Sequence, residues 1–184
     1  MTYAEYVAAE ASAPVRHEYV GGVAVAMAGG SIEHGRLIAR LVALLAERLA
    51  GKPCIALSSD VRVRVRAADR ASYPDVLVVR AEIQRDPDGD HAVVNPTLII
   101  EVLSESTEAV DREEKLADFR RLPSLTEYVL VSQRERRIDL YRKSAPRRWS
   151  LDELGRGERV TLASVGVEVS VDEVYADALG AIVG

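Results

Sequence analysis

The sequence predicts a mixed α/β fold: a central mixed β-sheet flanked by helices, with added β-hairpins. Two near-continuous aliphatic runs, YPDVLVV at 73–79 and TLIIEVLS at 97–104, suit neighbouring core strands covered on both faces. Apolar residues at Ile38, Leu41, Val42, Leu45 and Leu49 recur at helical spacing, and Leu116, Phe119 and Leu122 do so after the second run. Short apolar segments broken by Gly-Gly or Arg-Glu-Arg supply the hairpins.

Taken in order, Thr2 caps a short helix over residues 3–10, with Tyr3 and Tyr6 facing inward, and Pro14 ends it. HEYVGGVAVAM at 17–27 reads as a hairpin turning at Gly21-Gly22, with His17 on the surface. Ser31 caps the longest helix, residues 32–50, and Gly51 closes it. Residues 53–66 are extended. VRVRVR at 61–66 alternates strictly, so Arg62, Arg64 and Arg66 share one face, either a basic strip for a phosphate backbone or, more simply, a solvated strand face. ADRAS at 68–72 is a turn, and RDPDGDHAVVNP at 85–96 is a polar solvent loop that lacks the later glutamate of a calcium loop. Ser106 or Thr107 caps a helix running to Leu122, and Pro123 ends it. Residues 127–133 and 137–143 form a hairpin; a final lobe from Trp149 brings two short strands at 159–170 and a helical turn at 171–179.

At 184 residues and 48% hydrophobic, the chain is expected to form a single domain over 1–184. Its net charge of −5 excludes coating nucleic acid by bulk electrostatics, so any such contact needs a local basic patch. The single cysteine, Cys54, has no partner for an internal disulfide. No apolar run reaches membrane-spanning length and MTYAEYVAAEAS lacks signal-peptide features, so a cytoplasmic protein without membrane contact is expected.

Glu101 is the residue that packing does not explain. A carboxylate inside an aliphatic strand is costly to desolvate without a partner. Alternation puts it on one face with Ile99 and Leu103, while Asp75 shares a face with Leu77 and Val79. If the two strands pair, both acids enter one cleft, where their repulsion calls for a cation. A hard divalent ion such as Mg²⁺ needs only one or two carboxylates beside water and phosphate oxygens, and no Cys/His set favours zinc. Lys115, one of only three lysines, lies in the following helix with Asp111 four residues earlier on the same face. On composition alone, an ordinary surface ion pair is the simpler account of Asp111 and Lys115.

YPDVLVV, IIEVLSEST and DREEKLADFRRLPSLTEYVLV together resemble the Uma family of restriction-endonuclease-like proteins, a branch of the PD-(D/E)XK nuclease superfamily. The resemblance extends back to HEYVGGVAVAMAGGSIEHGRLIARL and covers about Glu18 to Arg142. It implies a restriction-endonuclease-like fold in which Asp75, Glu101 and the Val102 backbone carbonyl bind Mg²⁺, with Mn²⁺ as a substitute. Leu103 stands where the superfamily has its lysine, and Lys115 fits the displaced lysine of this branch. The family's early glutamate falls on Glu18 and its helix-start histidine on His34, with Asp111 supporting Lys115. A homodimer is implied at the same level. Glu105 and Ser132 depart from the family pattern away from this set.

The leading expectation is a Mg²⁺-dependent endonuclease hydrolysing phosphodiester bonds in DNA. The alternatives are a non-catalytic DNA-interaction or regulatory module retaining the fold, and an assembly protein whose acidic cleft is incidental.

Overall fold

A computed structural model describes residues 1–27, 29–105 and 107–176, without the side chain of Asp90. The candidate cap Ser106 and the end of the helical turn expected at 171–179 lie outside the described residues. Strands, numbered in chain order, form two six-stranded sheets and a two-stranded ribbon among the described residues.

The first sheet contains β1 (His17–Val20), β2 (Val23–Ala26), β4 (Arg62–Val65), β5 (Arg70–Ser72), β7 (Arg85–Asp86) and β8 (Gly89–Val93), in the order β2-β1-β5-β4-β8-β7. The second contains β3 (Cys54–Ser58), β6 (Val76–Arg80), β9 (Leu98–Leu103), β10 (Glu127–Ser132), β11 (Ile138–Ala145) and β12 (Arg148–Leu154), in the order β12-β11-β10-β9-β6-β3. The aliphatic runs are its core: β6 pairs antiparallel to β9, with Val76 opposite Ile100, and β10 lies parallel to β9. The ribbon is β13 (Arg159–Leu162) with β14 (Val167–Ser170).

Helix α1 (Tyr3–Glu10) starts with a capping box between Thr2 and Glu5. Helix α2 (Ile32–Arg48) lays Leu37, Leu41, Leu44 and Leu45 on one face of the second sheet, against Val76, Val78, Ile100 and Val102. Each such leucine stabilises the fold by roughly 1.5–3 kcal/mol. Ile38 and Val42 are half-buried, so the stripe sits about one position round from the expected one. The opposite face holds Leu77, Val79, Ile99 and Leu103 under Leu116, Phe119 and Leu122. Every β9 residue is buried, as strands covered on both faces require. Helix α5 (Val171–Val174) is the last element among the described residues.

The structure corrects several expectations. The helix expected to reach Leu122 is an α turn α3 (Glu108–Val110), a π-helical turn (Asp111–Lys115) and α4 (Leu116–Phe119). Thr107 makes no side-chain cap; the Ser104 hydroxyl accepts the Thr107 N–H at 3.2 Å and its carbonyl accepts that of Glu108 at 3.0 Å. ADRAS contributes β5, a short strand in the middle of the first sheet. The 85–96 loop forms β7 and β8, and Asp86 is buried against Arg66. Residues 148–154 form β12, the edge of the second sheet. VRVRVR alternates as expected, with Val63 and Val65 in the core, but Arg62 and Arg64 are buried rather than solvated. Tyrosines cover them: Arg64 lies 4.1 Å from the Tyr3 ring centroid and Arg62 5.5 Å from that of Tyr6. His17 is half-buried, its Nδ1 3.0 Å from Glu10.

Candidate active site

Antiparallel pairing of β6 and β9 brings Asp75 beside Glu101. The Asp75 N–H donates to Glu101 Oε2 at 3.1 Å, and the Val102 N–H donates to Asp75 Oδ2 at 2.7 Å. Both acids are therefore oriented by the backbone of the other's strand, which fixes them more rigidly than loop positions would. Ser31 caps α2 by accepting the His34 N–H at 3.1 Å, which sets the imidazole in the first turn of that helix. Its Nε2 lies 3.2 Å from Asp75 Oδ1. A Cβ at Gly30 would fall 2.7 Å from the His34 ring, so only glycine lets the backbone pass there without the ring shifting.

The π-helical turn carries the cation. Such turns within α-helices recur at functional sites. Here Asp111 and Lys115 both turn inward and are buried. Lys115 Nζ lies 3.1 Å from Glu18 Oε1, 3.3 Å from Glu101 Oε1 and 3.1 Å from Asp111 Oδ1. The Asp111 backbone carbonyl accepts the Tyr128 hydroxyl at 3.0 Å, pinning the turn to β10. All of the sequence-predicted side chains, Glu18, His34, Asp75, Glu101, Asp111 and Lys115, line one cleft of about 280 Å³.

Electrostatics follow from burial. Glu101 is 2% exposed, and desolvation pushes its pKa well above the ordinary carboxylate range; the pull of Lys115 does not cancel this, and Asp111, Asp75 and Glu18 add to it. Burial raises Asp111 in the same way, against Lys115. For Lys115 burial works against the charge, but Glu101, Glu18 and Asp111 outweigh it and hold the ammonium above the usual lysine range. The hydrogen bond to Asp75 raises His34, with a smaller contribution from the Val102 backbone. Glu18, Glu101 and Asp111 thus converge on one ammonium while Asp75 beside them is paired with His34, so acids outnumber cations in the cleft.

Sequence reading missed Arg70. This guanidinium is 2% exposed and joins Glu18 at 3.5 Å, Glu114 at 3.3 Å and Asp118 at 2.7 Å. It ties Glu18 on the first sheet to the helix carrying Lys115. Tyr73 on the cleft wall was missed as well. No local signal marks either one: Arg70 sits in a turn-like pentapeptide after Asp69, whose φ is 48°.

The family model for Uma2, described as "Putative restriction endonuclease", matches residues 3–172. The chain belongs to the Uma2 family. Two relatives in Synechocystis sp. are uncharacterized proteins: one is 35% identical over 154 residues, 84% of this chain and 87% of its own length. The other is 34% identical over 171 residues, 93% and 89% of the two lengths. A crystal structure of "a putative nuclease belonging to DUF820" from Anabaena variabilis superposes with a TM-score of 0.71 at 16% identity, covering 86% of this chain and 88% of that one. The Uma2 chain therefore has a restriction-endonuclease-like fold, as its sequence motifs imply.

Nucleases of this fold generally use divalent metals. Among the described residues, no three acids or histidines are preassembled as a cage. The donors nevertheless fit a hard cation: they are carboxylate oxygens, carry excess negative charge and are largely buried. Mg²⁺ binds through one or two carboxylates with the rest of its shell supplied by water and phosphate, so a complete protein cage is unnecessary.

Proposed function

We propose that this Uma2 protein is a Mg²⁺-dependent endonuclease hydrolysing phosphodiester bonds in DNA. The observation that carries this reading is the meeting of Asp75, Glu101 and Lys115 in one cleft on two paired core strands and the adjoining π-helical turn. When bound, Mg²⁺, or Mn²⁺ in its place, would be held by Asp75, Glu101 and the Val102 carbonyl and would polarise a phosphate oxygen as a Lewis acid.

The chain's own residues supply the rest. Asp75 is held in place from one side by the Val102 N–H and from the other by His34. Lys115 brings a permanent positive charge to the cleft, where it stabilises negative charge developing on the phosphate. Asp111 and Glu18 position that ammonium, and Arg70 positions Glu18. The proposal includes a single domain over 1–184, a cytoplasmic setting and a homodimer. Among the described residues no helix is long and apolar enough to cross a membrane. Edge strand β2, with Val23 and Val25 exposed, leaves a side on which a second copy can pair.

Cleavage of supercoiled plasmid in Mg²⁺ or Mn²⁺ tests the proposal. Nicked and linear product should form with the unmodified protein and disappear in Asp75→Asn and Glu101→Gln. Retained cleavage in either variant would sink the proposed site. One observation favours the second reading, a non-catalytic DNA-interaction module: Lys115 already has a carboxylate oxygen for each of its three donors. DNA binding with no cleavage in either metal would select that reading.

A further inference from the structure

Of the arginines the sequence offered as a basic strip, Arg62 and Arg64 are covered by tyrosines and Arg66 is paired with Asp86 and Asp88, yet the fold builds a basic groove elsewhere. It lies where the chain leaves α4 and meets the turn between β11 and β12, with a volume of about 460 Å³. Arg120, Arg121, Lys143 and Arg147 line it together with Trp149, and no acidic side chain does. In a chain of net charge −5 this is a concentrated local exception.

The groove is built rather than incidental. Arg120 is held between two rings, 5.4 Å from the Tyr141 centroid and 5.3 Å from that of Trp149, the only tryptophan of the chain. Its guanidinium makes no hydrogen bond among the described residues, and its buried Nε has no partner. A stacked arginine with unspent donors is preorganised for an anion. Arg147 occupies a left-handed backbone position with φ 64°, where glycine or asparagine costs least. Its side chain reaches the groove and makes no ion pair among the described residues.

Groove and cleft share the same side of the second sheet, since Tyr141 and Trp149 pack against the cluster that contains Ile99 and Leu103. The Lys143 N–H bonds the Thr126 carbonyl, four residues before Leu130, the partner of Glu101. At about 3.3 Å per residue along β10 and two strand spacings of about 4.8 Å across it, the two positions are roughly 16 Å apart, about five base steps along a strand.

We propose that this groove binds backbone phosphates of DNA at a distance from the cleft. The choice of ligand rests on the nuclease reading; the groove itself does not. The test is fluorescence anisotropy of a labelled duplex with the full chain in EDTA, titrated with KCl. Lys143→Glu/Arg147→Glu should weaken binding by about ten-fold or more at fixed salt and reduce the slope of log K against log salt by about 2, since each lost phosphate contact removes about 0.9. Arg147→Gly relieves the backbone strain, so it should keep or raise the thermal midpoint while still lowering affinity and slope.

Unchanged affinity and slope in the double variant would overturn the proposal, as would absence of duplex binding by the unmodified chain at low salt. Loss of binding to phosphatidylserine vesicles with DNA affinity retained would overturn it too, assigning the groove to a membrane surface. The two readings fail separately: groove-dependent DNA binding without cleavage defeats only the nuclease, and full cleavage with unaltered affinity in the double variant defeats only the groove.

Discussion

Glu101 and Glu127 make an instructive pair. Each is an acid inside an apolar strand, on neighbouring parallel strands β9 and β10, with 2% and 1% exposure. Glu127 is surrounded by donors. It accepts the Ala163 N–H at 3.0 Å, the Ser164 N–H at 3.1 Å, the Ser164 hydroxyl and the Arg142 guanidinium at 3.1 Å. That set fastens the segment between β13 and β14 to the sheet. Glu101 has one N–H and one shared ammonium, and otherwise faces Asp75, Asp111 and Glu18. Burial alone therefore does not distinguish the two acids. The difference lies in whether the surroundings neutralise it, and only the Glu101 cluster is left short of a cation.

The largest effect expected from this contrast is on cleavage. Asp75→Asn and Glu101→Gln should lower plasmid cleavage by at least about 10²–10³-fold, the scale for removing a preorganised electrostatic group. Circular-dichroism melting of metal-free Glu101→Gln should show equal or higher stability, because burial disfavours the ionised form that the substitution removes. Glu127→Gln should do the reverse: lower stability by about 1–3 kcal/mol through weakened acceptors for buried donors, with unchanged cleavage per folded molecule. A Glu127→Gln variant that lost cleavage while fully folded would erase the contrast.

Lys115→Met sharpens it from the other direction. Without the ammonium, Glu101, Asp111 and Glu18 face one another, and metal-free stability measured by urea unfolding should fall by about 3–5 kcal/mol. Mn²⁺ should restore part of that loss, whereas no metal should restore the loss in Glu127→Gln. The smallest effect concerns His34. Its pKa is raised in the fold by Asp75, so its contribution is complete below about pH 6.5 and is lost as pH rises through the higher folded value. In metal-free protein, His34→Gln should flatten that part of the stability-versus-pH curve by less than about 1 kcal/mol.

Much of the fold and of the candidate site was legible because the signals are local. Aliphatic runs marked β6 and β9, helical spacing marked α2, and Asp75 and Glu101 stood out as charges inside those runs. The rest depends on partners distant in sequence. Alternation gave Arg62 and Arg64 a common face, but nothing nearby says that Tyr3 and Tyr6 of α1 cover it. Arg70 acquires meaning only when β5 sets it against Glu18, Glu114 and Asp118. The π-helical turn was equally hidden, since DREEK is an ordinary helical pentapeptide whose widened turn is stabilised by what Lys115 and Asp111 touch. Residues 148–154 showed too little apolar alternation to mark β12.

Calorimetric titration of Mn²⁺ into the metal-free chain tests the central claim most directly. Saturable binding should appear in the unmodified protein, persist in Glu127→Gln, and vanish in Asp75→Asn and Glu101→Gln. No binding by the unmodified protein, or binding that survives in both site variants, would contradict the assignment of the Glu101 cluster as a cation site.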